Sequence, residues 1–440
     1  MTSDTANSNV VWSTGQSSNR PHVATAGKWT LIAIFLAALL VRILVNAAFQ
    51  GITAAPNPAF PDSILYANAA ASVATGRYEV NGRPSMHAPP GIPVLIATAK
   101  SATLGSWLGP RLLYSLLGAA TCLFAFGIAS RIGGPVAGVL AAGVLAVYPD
   151  HFYWAMHFTP ETPGAAFLMA ALWLSMRLDR QPSTLGELAL GVLIGLAALV
   201  TPRMLVMAPV LMLLRLAMCY RDRLREGLRG TVLTVIAVAL TIAPWTYRNY
   251  LVSGQLVLVS SHGGSTFLAG NNPLIEADPA ARGGWYQGPL SDIPGWTGTR
   301  TLPEADRSVA ERRLATDFLK DLPLWRLVRL EVMKFYHLVT PILDSPNLAY
   351  RVLVGGGWAL LAPVFILGLW RFGRRPSAYG LNAVLLGTLA ITLVFFGESR
   401  YRAAIAPVLA VYGGLGLGSL LERWFPDTSA VIVGRPSSRS

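Results

Sequence analysis

Asp62 is the first residue whose type and setting suggest chemistry. It lies in Pro61-Asp62-Ser63-Ile64-Leu65-Tyr66-Ala67-Asn68, a run that reads as a short helix over 62–75 with Ile64, Leu65 and Ala69 on its apolar side. A carboxylate is ionised at neutral pH. It can take a proton from an acceptor hydroxyl as the oxygen attacks, which is the work of a general base. The same residue suits an N-cap that satisfies a free backbone N–H, and both roles are compatible at a helix start. Glu161, in Thr159-Pro160-Glu161-Thr162-Pro163, opens an apolar run. An ionisable group so near hydrocarbon is a functional candidate; it is also a carboxylate that a helix dipole favours. Asp150 and His151 lie just upstream, and His151 and His157 are spaced wrongly for a pair of ligands on one helix.

Arginines gather in comparable places. Arg203 follows Thr201-Pro202, Arg248 ends Pro244-Trp245-Thr246-Tyr247-Arg248, and Arg400 and Arg402 flank Tyr401 after Glu398-Ser399. A guanidinium stays charged and can hold two phosphate oxygens at once. Snorkelling to a membrane interface is the plainer alternative for any one of them, and the better reading for Arg42. Asn271 and Asn272, in Gly270-Asn271-Asn272-Pro273, suit sugar hydroxyls or a turn. Gly413, Gly414, Gly416 and Gly418 fit close helix packing. Cys122 and Cys219 read as free, buried thiols.

The elements that must position these groups are membrane spans. Of the 440 residues 53% are hydrophobic and 13% charged, against about 25% charged in soluble domains. Apolar runs near the length that crosses a bilayer occur at about 29–48, 111–131, 134–148, 160–177, 185–200, 203–219, 231–249, 352–371, 379–397 and 402–421. The fold class expected is therefore an all-α polytopic bundle of about ten spans. The net charge of +13 belongs to loops that set orientation. With the N-terminus inside, Arg131, Arg177, Arg180, the group Arg221, Arg223, Arg225 and Arg229, then Arg374, Arg375 and Arg423 all fall on one side, as the positive-inside rule requires. No basic helix interleaved with stacking aromatics argues for nucleic acid. The apolar segment 91–108 would break this parity and is placed as a helix at the outer interface, beside the helix 62–75. Two long outer loops result, about 49–110 and 250–350, and long ordered loops between spans usually carry function. A tail over 1–27, rich in Ser, Thr and Asn, is expected to be disordered and cytoplasmic. The membrane domain covers 28–422, and 423–440 form a second cytoplasmic tail.

These segments together resemble the GT-C glycosyltransferases that use polyprenyl-phosphate sugars. The likeness is to the bacterial branch related to protein O-mannosyltransferases and lipid A aminoarabinose transferases. It rests on Asp62 with Tyr66 and Gly76; Pro89-Pro90 with Pro93; Thr159-Pro160-Glu161; Pro244-Trp245 with Arg248-Asn249, leading to Gly270-Asn271-Asn272-Pro273; and Glu398 with Arg400-Tyr401-Arg402 before Pro407. It spans roughly 29–421. Three departures stand out. The family commonly has Thr-Arg-Pro where this chain has Thr201-Pro202-Arg203. An arginine often precedes the paired prolines, where this chain has His87-Ala88. Ser63 replaces a carboxylate beside the first-loop Asp.

The resemblance implies a lipid-phosphate sugar donor, Asp62 as catalytic base and inversion at the anomeric carbon. Arg400, Arg402, Arg248 and Arg203 would hold the donor phosphate. Tyr66, Glu161, Asn271, Asn272, Tyr401 and Glu398 would contact substrate. The acceptor class stays open among lipid, glycan and protein. No dense carboxylate cluster argues for an obligatory divalent cation. The expected location is a bacterial-type cell membrane, with the site facing away from the cytoplasm and both termini inside it. A transporter or lipid flippase predicts charged residues deep in the spans and two related halves; neither is evident. A non-catalytic membrane scaffold is a third possibility.

Overall fold

A computed structural model describes residues 28–80, 82–342 and 348–424. The tails expected over 1–27 and 423–440 lie outside the described residues, apart from Arg423 and Trp424 at the end of the last helix. The chain runs through α1 (Lys28–Phe49), α2 (Pro61–Val73), a two-residue hairpin of β1 (Glu79–Val80) and β2 (Arg83–Pro84), α3 (Gly91–Ala102), α4 (Leu108–Gly133), α5 (Pro135–Val147), α6 (Pro149–Trp154), α7 (Glu161–Leu178), α8 (Thr184–Val200) and α9 (Met204–Cys219). It continues through α10 (Leu224–Ser253), α11 (Gly263–Gly270), α12 (Pro273–Ala277), α13 (Glu304–Asp321), α14 (Leu324–Val339), α15 (Leu348–Tyr350), α16 (Gly356–Phe372), α17 (Tyr379–Val394) and α18 (Ser399–Trp424).

Among the described residues, six helical stretches are long and apolar enough to cross a membrane: 29–49, 108–133, 221–253, 348–372, 376–394 and 399–424. The other four expected spans coincide with shorter helices. At about 1.5 Å per residue, the 13 residues of α5 reach about 20 Å, short of the roughly 30 Å hydrocarbon core. The 18 residues of α7 begin on Glu161 and end beside Arg177, which dilutes their apolar character. Gly134, at φ 88°, supplies the left-handed turn that separates α4 from α5, a conformation natural to glycine, and Pro135 then opens α5.

α18 is the central helix and packs against α4, α5, α7 and α16. Its small residues permit this. A side chain at Gly416 would collide with the Val364 carbonyl, and one at Gly414 with the Ala141 backbone. The expected packing role of these glycines is what the structure shows. Outward, the bundle presents a belt that water would not tolerate, including Leu44, Leu240, Leu360 and Trp370, all more than half exposed. Large contiguous apolar surface of this kind marks a lipid-facing exterior. Cys122 is buried as expected, whereas Cys219 is half-buried near the end of α9.

The two ends of the bundle differ. One gathers the ends of α7, α8, α9 and α17, where Arg215 donates bidentately to Glu187 (2.8 and 2.8 Å) and to Asp179 (2.8 Å). There Ser175 and Tyr379 share a 2.6 Å hydrogen bond, and Arg375 donates to the Ile132 carbonyl. The opposite end carries the two long connections, with α2, α3 and α11 to α14.

Candidate active site

Asp62, Glu161, Arg203 and Arg400 meet at the loop-bearing end. Their elements explain why. Pro61 fits the first turn of α2, where no N–H is needed, and places Asp62 in that turn. Pro160 precedes α7 in the same way, leaving Glu161 at its first position. Thr201 breaks α8 in an extended conformation, and the chain turns through Pro202 so that Arg203 leads into α9. Arg400 lies in the first turn of α18.

Arg400 bridges the two carboxylates. Its Nη1 donates to Asp62 Oδ2 at 2.7 Å and its Nε to Glu161 Oε1 at 2.6 Å, with Nη2 at 3.5 Å from Glu161 Oε2. Arg203 approaches the same Glu161 oxygen at 3.6 Å and is steadied by donating to Thr201 Oγ1 at 2.9 Å. Trp154 lies under the Arg400 guanidinium at 4.9 Å, and Tyr401 under that of Arg203 at 5.5 Å. Such stacking favours a cation. Exposure grades the cluster: the Glu161 side chain is 2% exposed, Arg203 15%, Arg400 25% and Asp62 49%. Glu161 is thus the buried anchor, and Asp62 the carboxylate that solvent reaches.

Tyr66 is buried one turn along α2 from Asp62. Burial, then the charge of Asp62, raises its hydroxyl well above its ordinary range, with Arg400 opposing, which favours the neutral phenol. Burial also raises the Glu398 carboxyl, again against Arg400. Seven of the residues expected from sequence (Asp62, Tyr66, Glu161, Arg203, Glu398, Arg400 and Tyr401) therefore share one electrostatic neighbourhood.

Four expected residues lie elsewhere. Arg402 is two residues beyond Arg400, and about 100° per helical residue turns it to the far side of α18. It is buried and donates to the carbonyls of Leu338 (2.6 Å) and Thr340 (2.8 Å). Arg248 donates to the carbonyls of Ser85 (2.6 Å) and Tyr78 (2.8 Å) and stacks on Trp245 and Tyr78. Asn271 is buried, giving its amide to the carbonyls of Phe267, Val394 and Phe395 and accepting from Lys334 Nζ at 2.8 Å. Asn272 caps α12, its Oδ1 accepting from the N–H groups of Leu274 and Ile275. Arg248, Asn271 and Asn272 spend their polar groups on the protein itself; Arg402 does so through Nη1 alone, and its buried Nε and Nη2 have no hydrogen-bond partner among the described residues.

The structure adds a pair that sequence reasoning did not assign to the site. The rings of His87 and His262 meet edge to face at 4.3 Å. The His87 segment is tightly held. Arg248 binds the Ser85 carbonyl, Glu304 accepts from Ser85 Oγ and Met86 N (2.9 and 2.7 Å), and Ser260 Oγ donates to the His87 carbonyl. Ala88 packs with Tyr66 in one apolar cluster. Burial lowers the His87 imidazole, opposed by Glu304 and Asp62, and brings His262 down to about 3, with His87 adding to the effect. Both shifts favour the neutral ring. The only sequence signal was the departure at His87-Ala88.

Beside this cluster an apolar cavity of about 370 Å³ opens between α3, α7, α8 and α10. Leu95, Phe167, Leu196, Val200, Pro244 and Trp245 line it. Val200 directly precedes the Thr201–Arg203 turn, so the cavity ends near the charged cluster.

Residues 87–247 match the family model described as dolichyl-phosphate-mannose-protein mannosyltransferase. No curated protein sequence matches the chain. Among solved structures, the chain is similar to the archaeal oligosaccharyltransferase AglB from Archaeoglobus fulgidus in complex with an inhibitory peptide and a dolichol-phosphate. The identity is 14% and the TM-score 0.57, over 94% of this chain and 52% of that one. It is also similar to the Archaeoglobus fulgidus oligosaccharyltransferase tethered to an acceptor peptide containing the NVT sequon, at 17% identity and TM-score 0.58, over 93% and 52% of the two chains. A weaker likeness, TM-score 0.43 at 16% identity, is to ArnT from Cupriavidus metallidurans bound to undecaprenyl phosphate, over 89% and 79%. The chain spans about half the length of the oligosaccharyltransferases it matches. Residues 87–247 thus match the dolichyl-phosphate-mannose-protein mannosyltransferase family model, within a polytopic helical fold similar to that of the archaeal oligosaccharyltransferase.

Proposed function

We propose that the chain is an integral membrane glycosyltransferase that moves a sugar from a polyprenyl-phosphate carrier to an acceptor hydroxyl or amine on the non-cytoplasmic side. The observation that carries this reading is the half-exposed Asp62 carboxylate, held through one oxygen by Arg400 in a charged cluster, with an apolar cavity reaching Val200 next to the Thr201–Arg203 turn. The family match and the fold support the same reading.

Asp62 takes the acceptor proton on Oδ1, the oxygen that Arg400 does not hold. The acceptor oxygen or nitrogen forms its bond to the anomeric carbon while the bond from that carbon to the phosphate oxygen breaks. The electron pair leaves with the lipid phosphate, and attack from the opposite face inverts the carbon. Arg203 and Arg400 face the developing phosphate charge; fixed cations placed where charge develops are a large catalytic contribution. Arg248 and the Nη1 of Arg402 are taken up by backbone carbonyls, so the scheme rests the phosphate on Arg203 and Arg400. The first isoprenes of the carrier occupy the apolar cavity beside Val200. An obligatory metal is not part of the scheme.

Asp62→Asn keeps the shape and removes the base. In membranes supplied with a labelled polyprenyl-phosphate sugar, transfer should fall about 10²–10⁴-fold at unchanged protein level. Undiminished transfer would remove Asp62 as the base.

A further inference from the structure

α14 carries a stripe of apolar side chains on the outside of the molecule. Leu324, Trp325, Val328, Val332, Phe335 and Tyr336 recur at helical spacing along one face, and Leu324, Trp325 and Val332 are 75%, 63% and 59% exposed. The other face holds Leu330, Lys334 and Leu338, all buried. A helix with one buried face and one exposed apolar face needs a second apolar neighbour.

Its anchoring shows where that neighbour is. Lys334 Nζ donates to the Leu393 carbonyl at 2.7 Å, in the last turn of α17. Arg402, in the first turn of α18, donates to the Leu338 and Thr340 carbonyls. A side chain at Gly397, between those two helices, would strike the Lys334 carbonyl. α14 is therefore seated where two spans leave the apolar belt, and soon after its end the chain enters another span at Leu348. The charge beside the stripe fits the same level. Arg282, Arg326 and Arg329 all turn to the single carboxylate of Glu276, leaving an excess of positive charge. Arg326 and Arg329 remain 37% and 42% exposed. Trp and Tyr beside arginine are the composition of a membrane interface.

We propose that α14 lies flat in the headgroup–acyl boundary of the phospholipid bilayer, its apolar stripe in lipid and Arg326 and Arg329 at the phosphates. This holds whatever reaction the charged cluster performs. The helix is also a lipid-seated brace for the segment 395–402, which carries Glu398 and Arg400.

Spin labels test it on the full chain with Cys122 and Cys219 replaced by alanine, reconstituted in phosphatidylethanolamine–phosphatidylglycerol nanodiscs. Labels at Val328→Cys and Val332→Cys should relax faster with oxygen than with a water-soluble nickel chelate, and Asp317→Cys on α13 should show the reverse. Trp325→Cys and Phe335→Cys should report equal depth. Chelate access at 328 and 332 like that at 317 would overturn the proposal. So would exclusion of both reagents there, which would mean that a second copy or another protein covers the stripe. Lipid at 335 with water at 325 would mean a helix standing off the membrane, and would also overturn it. The unmodified protein gives an independent reading, because a diazirine carried just below the lipid headgroup should label the α14 peptide; an unlabelled peptide contradicts the proposal.

Discussion

Arg400 holds two carboxylates that differ in exposure more than twenty-fold, 2% for Glu161 and 49% for Asp62. Only a planar fork can satisfy both at 2.6–2.7 Å. A lysine keeps the charge but has one compact ammonium on a flexible stem. Arg400→Lys should therefore lose nearly as much transfer as Arg400→Ala, about 10²-fold or more, as measured by initial rate at saturating lipid donor. A lysine variant close to wild type would show that charge alone suffices. Asp150 is the second informative residue. It is 1% exposed; one oxygen accepts from Trp154 Nε1 at 3.1 Å, and the other has no partner. Burial raises its carboxyl to about 7, with Arg402 opposing, whereas the unfolded group titrates near 3.9. Between those values the folded protein keeps a proton that the unfolded chain releases, so this group costs stability as pH rises, by up to about 1.4 kcal/mol per unit. The cost is complete above about pH 7 and absent below about 4. Asp150→Asn removes it and keeps the acceptor for Trp154. The variant should melt above wild type in detergent at pH 8, with the gap closing toward pH 4; a pH-independent gap would contradict this origin.

At the scale of elements, Arg248 shows how far sequence could be read. The motif Pro244-Trp245 with Arg248 marked a real feature, yet the role expected of it came from its charge and from the resemblance. What decides the role is the neighbouring backbone: α10 delivers Arg248 to the carbonyls of Tyr78 and Ser85, some 170 residues earlier in the chain, a pairing that no local pattern announces. Arg402 parts from Arg400 for a reason the sequence did contain, since residues two apart on a helix face opposite ways. Asp62, Glu161 and Arg400 were legible because a charged residue where a span meets a loop has few places to go. Their convergence depends on the packing of α2, α7 and α18, which periodicity does not encode. The spans themselves were legible except where helices are short, as in α5. If Arg248 acts by holding the His87 segment, Arg248→Ala should lower the turnover rate about tenfold and leave affinity for bare polyprenyl phosphate unchanged. A parallel loss of that affinity would return Arg248 to the phosphate.

The whole molecule is polar at both ends, and the two ends use charge differently. At one, Arg215 is locked to Glu187 and Asp179, while Arg221, Arg223 and Arg225 are exposed, Arg223 pairing with Glu226 at 3.3 Å. At the other, Asp62, Glu161 and Glu398 balance Arg203 and Arg400 in one cluster. Under the proposed function the positive-inside rule assigns the first end to the cytoplasm and the cluster to the outer side, where a lipid-linked sugar would be reached without a soluble nucleotide donor. Two exposed positions separate the alternatives: Asn68 on α2 and Arg225 at the start of α10. With Cys122 and Cys219 replaced, a membrane-impermeant maleimide added to intact cells should label Asn68→Cys and spare Arg225→Cys until the membrane is opened. The reverse pattern would turn the molecule over and bring the donor to the cytoplasmic leaflet. Labelling of both in intact cells would mean that the arginine-rich end is also outside, which the excess of exposed arginine there makes electrostatically unfavourable against the membrane potential, about 2.3 kcal/mol per charge at 100 mV.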